Sequence, residues 1–323
     1  MHHILISEYG INVKEQTVLS DQKAYLDENY IYFIMSIKNN KSIHIEQAAL
    51  AYYLSEHNDN NVAYPIRNRQ GQWFTTHNDN QLMVLKANFQ CKQQIMSHGL
   101  NLATFHQIGS LYTFEPQTIS SYGQWKSLWI TKLTALETEV EQKVKEENDF
   151  NHLLIMDILP YIIGICENAI QYIAESETDL RFNKADQGSI TFYRYNKQLD
   201  DPFIWFYDLT YDHPTRDIAE YIRYQYLLNH HGDIMEIVSF LNNYQQIRSL
   251  SIFSWQQLYG RLIYPAHFFD CIEEVLFNKG NGDTHELEKL VHSQTSYEEK
   301  LKDLFATIDM SRGALEIPKL AWL

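Results

Sequence analysis

The hydrophobic periodicity of this chain changes near residue 90, and that change limits the possible folds more than any other feature. Before it lie short runs rich in β-forming residues with Asn, Asp and Gly turns between them: "YIYFIMSI" (30–37), "VAYPI" (62–66), "GQWFTT" (71–76) and "QLMVLKANF" (81–89). Only "IEQAALAYYLSEH" (45–57) has apolar residues at helical spacing. The first part of the chain therefore predicts a small sheet with one helix.

After residue 95 the pattern is mostly helical. The segments 95–112 and 125–148 have apolar residues at helical spacing, and the second has a charged outer face. The segment around 152–174 is apolar nearly all round, which predicts a central buried helix, and its most apolar run is "LLIMDILPYIIGIC" (153–166). Asp157 and Pro160 interrupt this run, and it is too short to span a bilayer, so we expect no membrane span.

One β-hairpin is predicted within the helical part. "GSITFYRY" (188–195) and "PFIWFYDL" (202–209) flank a polar turn, with Asp208 at the end of the second, buried strand. After Asp217 the chain again reads as helical. The whole pattern predicts an α+β fold with two lobes, a small β-rich N-terminal lobe with one helix at residues 1–90 and a larger, mostly helical C-terminal lobe at residues 91–323.

Charge and cysteine content narrow the class of protein. The chain has 41 acidic and 26 basic residues, a net charge of −15, so nucleic acid is not an expected partner. Cys91, Cys166 and Cys271 are far apart, without disulfide or zinc-ligand spacing, which predicts synthesis in a reducing compartment. The N-terminus lacks the basic region and long apolar stretch of a signal peptide. No P-loop, dinucleotide-binding or Gly-x-Ser-x-Gly motif is found.

Two segments carry a resemblance to a known family. "NLATFHQIGSLY" (101–112) resembles a helix of aminoglycoside and choline kinase-like proteins, and "WFYDLTYDHPTRDIAEYIR" (205–223) resembles their metal-binding segment and the helix after it. The second segment is most similar to bacterial spore coat-associated kinase-like proteins of the YutH and CotS types, in the aminoglycoside phosphotransferase-like superfamily. The matching residues are Asp208, Asp212, Pro214, Arg216, Asp217, Ile218 and Ala219.

The resemblance implies a bilobal protein kinase-like fold with ATP and Mg²⁺ as cofactors. It implies that Asp208 holds Mg²⁺ on the nucleotide phosphates, whereas a hydrogen-bonded turn residue is the alternative for this position. Asp217 would support the catalytic loop through backbone N–H groups. Arg216 would pair with an acidic residue of the same loop or be exposed.

Other parts of such a site are altered in this chain. Aligning "YFIM" (32–35) with the family's Tyr-x-Leu-Lys puts Met35 at the position of the nucleotide-binding lysine. Lys38 is the nearest cation and Glu46 the candidate helix carboxylate, and each could equally be a surface residue. For a loop over the phosphates the chain offers only "SEYGINV", with the single glycine Gly10.

The catalytic loop is altered as well. In "FNKADQGSITFY" (182–193), Asp186 can take the position of the general base, which puts Lys184 in place of the usual His and Thr191 in place of the metal-binding Asn. If Gln187 takes that position instead, the base is missing. "HHGD" (230–233) follows the metal-binding segment instead of preceding it, so we expect a helix-breaking loop there.

These observations predict a spore coat-associated, catalytically degraded kinase-like protein, a pseudokinase with a structural or recruitment role. The resemblance implies other spore coat proteins as partners, synthesis in the mother-cell cytoplasm and location in the spore coat. The alternative is an active ATP- and Mg²⁺-dependent phosphotransferase on a small molecule or protein, using Asp186, Asp208, Lys38 and Glu46. A third hypothesis is a module that binds another ligand.

Overall fold

The structure, a computed structural model, describes residues 2–37, 40–57, 62–88, 96–146, 150–178, 183–227, 232–277, 285–312 and 317–320. The chain forms two compact units. The first comprises Met1–Ser120 and Gly188–Pro214, and the second comprises Ser121–Gln187 and Thr215–Leu323. The predicted lobe boundary near residue 90 falls at residues 89–95, outside the described residues, and stays a prediction.

The first unit contains a seven-stranded sheet in the order β1-β2-β3-β6-β4-β8, with β5 paired to β6. Neighbouring strands are antiparallel except for the parallel pair β4 and β8. The strands are β1 (Glu15–Leu19), β2 (Gln22–Leu26), β3 (Tyr30–Ile37), β4 (Val62–Ile66), β5 (Thr75–His77), β6 (Asn80–Asn88) and β8 (Ile204–Trp205). The predicted strands at 30–37 and 62–66 are confirmed, and the one at 81–89 is confirmed over 81–88, with residue 89 outside the described residues. The run 71–76 contributes only the start of β5.

Helices and a second small sheet complete the first unit. They are α1 (His2–Ile4), which continues into one π-helical segment at Leu5–Tyr9, α2 (Lys41–His57), α3 (His98–Gly109), and the antiparallel pair β7 (Ser189–Phe192) and β9 (Leu209–Asp212). The predicted helix at 45–57 is the main part of α2, which buries Leu50, Ala51 and Leu54 completely. This burial holds α2 in place, since apolar side chains gain most when they are removed from water.

The prediction of a β-hairpin is wrong in its second strand. Its first strand is β7, but β7 pairs with Leu209–Asp212 in β9, with Phe192 opposite Leu209. Part of the expected partner, Ile204–Trp205, instead extends the large sheet as β8. The segment from Phe203 to Leu209 is rich in apolar and aromatic residues on both faces, so periodicity could not show which part pairs with β7.

The second unit is helical. It contains α4 (Trp125–Glu146), α5 (Phe150–Glu177), α6 (Thr215–Leu227), α7 (Ile234–Ile247), α8 (Ile252–Ile263), α9 (Ala266–Phe277) and α10 (His285–Arg312). The mixed α+β class, with a β-rich part that holds one long helix and a mostly helical remainder, is as predicted.

The apolar helix α5 is less central than predicted. It contacts α4, α8 and α9, and residues such as Ile162 and Ile173 are fully buried, but Leu153 and Met156 are exposed. By length and composition alone, Leu153–Glu177 could cross a membrane, with a mean hydropathy of 1.7, and 33% of its most apolar stretch is buried inside the protein. The core helices of water-soluble proteins can be equally long and apolar, so length and hydropathy alone are weak evidence that α5 spans a membrane.

Candidate phosphotransfer site

Asp208 lies in a turn and does not end a strand. The turn Phe206–Asp208 is a single 3-10 helix between β8 and β9. Gln47 of α2 fixes its backbone, because the Gln47 side-chain amide donates hydrogen bonds to the carbonyl oxygens of Tyr207 at 2.8 Å and Leu209 at 3.2 Å. The expected position at a strand end is therefore corrected, although the half-buried Asp208 remains in a rigidly held segment.

The electrostatic surroundings of Asp208 disfavour its charge. Burial raises the pKa of Asp208 to about 6, and repulsion by the Asp201 carboxylate adds to the rise. The pKa of Asp201 is raised too, first by burial and then by Asp200. Within the described residues no group of three or more His, Cys, Asp or Glu side chains could hold a metal ion. An ion at Asp208 would thus take most of its ligands from phosphate or water oxygens.

Asp212 occupies the strand end that was expected for Asp208. It is the last residue of β9 and is fully buried, and its Oδ1 accepts a hydrogen bond from the backbone N–H of His213 at 2.6 Å. The resemblance had already included Asp212, but the sequence alone does not show where the strand ends.

The carboxylate of Glu46 is bound to the backbone of its own unit. Its two oxygens accept hydrogen bonds from the N–H groups of Gln117, Thr118 and Ile119, at donor–acceptor distances of 2.8–3.1 Å. Successive N–H groups around one anion form a nest, which suits a carboxylate. Glu46 therefore anchors the segment after α3, and Lys38, its predicted partner, lies outside the described residues.

Aromatic rings cover the face of β3 that carries Met35. Phe33 and Met35 lie on the same face, because side chains alternate along a strand. The Phe33 ring is buried and packs edge-on against Phe203, with centroids 5.3 Å apart, and against Trp205, at 4.9 Å. Close to the position where the resemblance places a lysine, the sheet is thus covered by side chains of the same unit.

Gly10 ends the helical segment Leu5–Tyr9 as its C-cap. Its φ of 71° is left-handed, and its N–H donates to the Ile6 carbonyl oxygen at 3.1 Å. A Cβ at this position would lie 2.5 Å from the Arg69 guanidinium. The turn between β1 and β2 that follows consists of Ser20 and Asp21, both with positive φ, and contains no glycine. Neither segment is a glycine-rich loop.

Asp186 is fully buried in the second unit, and both of its carboxylate oxygens accept hydrogen bonds from protein groups. Oδ1 accepts from the hydroxyls of Ser251 and Ser254, each at 2.5 Å, and Oδ2 accepts from the Asn183 N–H at 2.8 Å. Ser251 also caps α8 by accepting from the Ser254 N–H at 2.9 Å. A general base needs a free oxygen within reach of a substrate proton, and these bonds instead suit a residue that fixes a loop to a helix start.

Two further side chains hold the loop around Asp186. The Tyr122 hydroxyl donates to the Asp186 carbonyl oxygen at 2.9 Å. The Arg248 guanidinium donates to the carbonyl oxygens of Ala185 at 2.7 Å and Gln187 at 3.3 Å. Sequence reasoning missed these residues and Ser251, although a Ser before a helical run is a recognisable N-cap. Each of these residues is more than 60 residues away in the sequence from the loop residue that it binds.

The remaining positions of the altered catalytic loop give little support for metal binding. Thr191, at the position of the metal-binding Asn, is fully buried within β7. Gln187 is exposed, and the side chain of Lys184 is outside the described residues. A fully buried hydroxyl is a poor ligand for an ion that must also bind nucleotide phosphates.

Arg216 and Asp217 open α6 in the second unit. Arg216 donates from its guanidinium to the Ser121 hydroxyl at 2.9 Å. Asp217 is fully buried in the first turn, where the helix dipole favours a negative charge. Burial raises the pKa of the Tyr244 phenol, and the Asp217 carboxylate adds to this rise. The support of the catalytic loop by Asp217 and the pairing of Arg216 with an acidic residue of that loop stay predictions.

The "HHGD" segment has a structural role where it is described. Asp233 is the N-cap of α7, and its Oδ1 accepts the Met235 N–H at 3.0 Å. His230 and His231 lie outside the described residues. The described part agrees with the predicted loop.

The predicted site residues that the structure describes are divided between the two units. Asp208 and Glu46 belong to the first unit, and Asp186, Arg216 and Asp217 belong to the second. Of the three carboxylates expected to act in catalysis, Glu46 and Asp186 are taken up by protein hydrogen bonds. Asp208 has the burial and the raised pKa that a bound cation would relieve.

Comparisons with known proteins agree with the resemblance. The family described as "Spore coat putative kinase YutH" matches residues 2–304. The endospore coat-associated protein YutH of Bacillus subtilis (strain 168) is 29% identical over 328 residues, covering 98% of this chain and 96% of that protein.

Solved structures of phosphotransferases share the fold. An aminoglycoside phosphotransferase from Alicyclobacillus acidocaldarius has a TM-score of 0.64 at 11% identity, covering 94% of this chain and 95% of that one. The amicoumacin kinase hAmiN, solved in complex with AMP-PNP and Ca²⁺, has a TM-score of 0.54 at 16% identity, covering 93% and 92%. At such identities the similarity shows the fold alone, and the predicted kinase-like fold is confirmed.

Proposed function

The chain belongs to the YutH family of spore coat kinase-like proteins, and we propose that it is a scaffold or recruitment component of the coat that does not transfer phosphate. The name of the Bacillus subtilis relative, an endospore coat-associated protein, supports the location. Other coat proteins are then its partners, and the mother-cell cytoplasm is where it is made. The kinase-like fold provides a stable surface for these contacts.

The state of Asp186 is the observation that carries this proposal. Its carboxylate is buried and accepts hydrogen bonds from two serine hydroxyls and one backbone N–H. Moving the Asp186 carboxylate away from these donors to admit a substrate would leave the buried Ser254 hydroxyl unsatisfied, which costs about 1–3 kcal/mol. Phosphoryl transfer relies on a base that orients the attacking hydroxyl, and Asp186 is held for a different purpose.

Two features of the first unit support the same conclusion. Glu46 is bound by a nest of backbone N–H groups, so it does not need a lysine to hold α2 in position. Phe203 and Trp205 cover the sheet face beside Met35. The missing lysine, the hydrogen-bonded carboxylate of Glu46 and the covered sheet face beside Met35 together disfavour nucleotide binding. Their effect is stronger than the support that Asp208 gives it.

The alternative is an active phosphotransferase, and Asp208 is the residue that favours it. A half-buried carboxylate with a pKa raised to about 6 is a group that a divalent cation would stabilise in its charged form. ATP with Mg²⁺ or Mn²⁺ tests the two functions against each other. A ligand at 100 times its Kd stabilises the native state by about 2.7 kcal/mol, which thermal unfolding detects easily.

We expect millimolar ATP with Mg²⁺ or Mn²⁺ to leave the melting temperature of the wild-type protein unchanged. Asp208→Ala is the informative variant, and Asp157→Ala, at an exposed position on α5, is the control for loss of one carboxylate. A rise in melting temperature for the wild type and for Asp157→Ala, absent in Asp208→Ala, would support the phosphotransferase instead. In sporulating cells that lack the chain, we expect Asp208→Ala to restore a normal coat as well as the wild type does.

A further inference from the structure

The loop after α3 carries two large apolar side chains in solvent. In this loop, residues 110–117 of the first unit, Leu111 is 68% exposed and Phe114 is 75% exposed. Single exposed apolar residues are common and need no explanation. Here two of them lie three residues apart in a loop whose conformation is fixed at both ends.

The end of this loop nearest α3 is fixed against α2. The Tyr53 hydroxyl donates to the Ile108 carbonyl oxygen at 3.1 Å. The Tyr53 ring packs edge-on against the Tyr112 ring, with centroids 5.1 Å apart. The Tyr112 ring in turn packs edge-on against the Phe114 ring, with centroids 6.1 Å apart. This row of rings supports Phe114 from one side while most of its surface remains in water.

The other end is fixed by Glu46. Its carboxylate holds the N–H groups of residues 117–119, directly after the buried Pro116. Within the loop, the Gln117 side-chain amide donates to the Glu115 carbonyl oxygen at 3.3 Å, and the Ser120 hydroxyl donates to the Glu115 carboxylate at 3.0 Å. The side chains of Leu111 and Phe114 are therefore presented by a backbone that has little freedom to lose on binding.

We propose that the 110–117 loop is a docking element that inserts Phe114 and Leu111 into an apolar pocket on a basic partner protein. Rigid aromatic anchors contribute most of the affinity in many interfaces, and preorganisation lowers the entropy lost on association. The inference rests on the proposed role as a coat component and names the surface that would carry it out. It also gives the Glu46 nest a function, which is to hold the anchor in place.

Charge determines the kind of partner. From Ser110 to Gln124 the only charged residue is Glu115, and the whole chain has a net charge of −15. A symmetric contact between two copies through this loop would bring Glu115 near its own counterpart on two acidic proteins, which is unfavourable. A pocket bordered by Lys or Arg would instead pair with Glu115 and be attracted by the rest of the chain.

The first test follows the chain as a fluorescent fusion during sporulation in its native host. We expect Leu111→Ala combined with Phe114→Ala to lower the coat-associated signal by about tenfold or more, as loss of an interface anchor does. Val18→Ala, at a position that is 63% exposed on β1, is the matched control and should behave as the wild type. Equal melting temperatures of the purified variants would exclude a folding defect. A double variant that reaches the coat normally overturns the inference and leaves the proposed function intact, whereas a wild type that never reaches the coat contradicts the proposed function itself.

The second test identifies the partner directly and does not depend on localisation. A photo-reactive phenylalanine analogue is placed at position 114, or at position 18 as the control, and irradiated in sporulating cells. We expect position 114 alone to give a crosslink to another protein with a net positive charge. A crosslink between two copies of this chain, a crosslink to an acidic protein, or equal yields at positions 114 and 18 would each overturn the inference.

Discussion

Asp208→Asn should make the protein more stable at neutral pH, although it removes the residue most like a catalytic one. Burial, and then repulsion by Asp201, raises the pKa of Asp208 from 3.8 to about 6. The folded protein therefore binds this proton more tightly than the unfolded chain does. The stabilising contribution is complete below pH 3.8 and is lost as the pH rises through about 6.

The size of the effect follows from the shift. A pKa difference of about 2 units corresponds to about 3 kcal/mol, and partial exposure of Asp208 to solvent reduces this to about 1–2 kcal/mol. The neutral Asn side chain has the same shape and is not penalised by burial of a charge. We therefore expect the unfolding free energy of Asp208→Asn to exceed that of the wild type by about 1–2 kcal/mol at pH 7, with the difference shrinking toward zero near pH 4.

Urea unfolding at several pH values between 4 and 8 measures this difference. Asp157→Asn is the control, because it removes one negative charge from the same acidic chain at an exposed position. A wild type that is as stable as Asp208→Asn at pH 7, or more stable, would refute the reasoning, since the carboxylate would then have favourable partners in the folded state. If millimolar Mg²⁺ stabilises only the wild type, Asp208 binds the cation.

Three further substitutions test the structural roles assigned to other site residues. Asp186→Ala leaves three donors without their acceptor, so the unfolding free energy measured in urea should fall by about 3 kcal/mol or more. The decrease should be smaller for Asp186→Asn, and an unchanged unfolding free energy for Asp186→Ala would contradict the hydrogen-bond network. Glu46→Gln weakens charge-assisted hydrogen bonds, so the backbone amides of residues 117–119 should exchange hydrogen about tenfold faster, as measured by mass spectrometry. Unchanged exchange rates would show that the Glu46 carboxylate is not needed to hold this segment. Phe33→Ala should cost about 3–5 kcal/mol in urea unfolding because its ring is buried between Phe203 and Trp205, and a loss below about 1 kcal/mol would mean that the rings do not pack there.

Elements that depend on local periodicity were predictable from the sequence. The run 30–37 is apolar and rich in β-forming residues, and it forms β3 over Tyr30–Ile37. The helical spacing of 125–148 corresponds to α4 at Trp125–Glu146. In both cases neighbouring residues determine which faces are apolar, and that information is contained within one short segment.

The pairing of β7 could not be predicted in the same way. The residues from Phe203 to Tyr211 are mostly apolar, so a strand could begin at several places, and the real partner starts after Asp208. The choice was made by β4, which pairs with Ile204–Trp205, and by Gln47, which holds the turn between the two strands. Strand partners far apart in sequence are selected by the whole sheet, which one segment cannot reveal.

The sequence by itself determined the fold class, the resemblance to spore coat kinase-like proteins and the residue types at single positions, such as Met35 where the resemblance places a lysine. These are properties of residue type and spacing. Only the tertiary structure decided what the surviving carboxylates do. Glu46 is bound by backbone groups 71 to 73 residues away, and Asp186 by hydroxyls 65 and 68 residues away. The physical reason is that these carboxylates find their donors in segments far away in the sequence, and such contacts exist only after those segments have packed together.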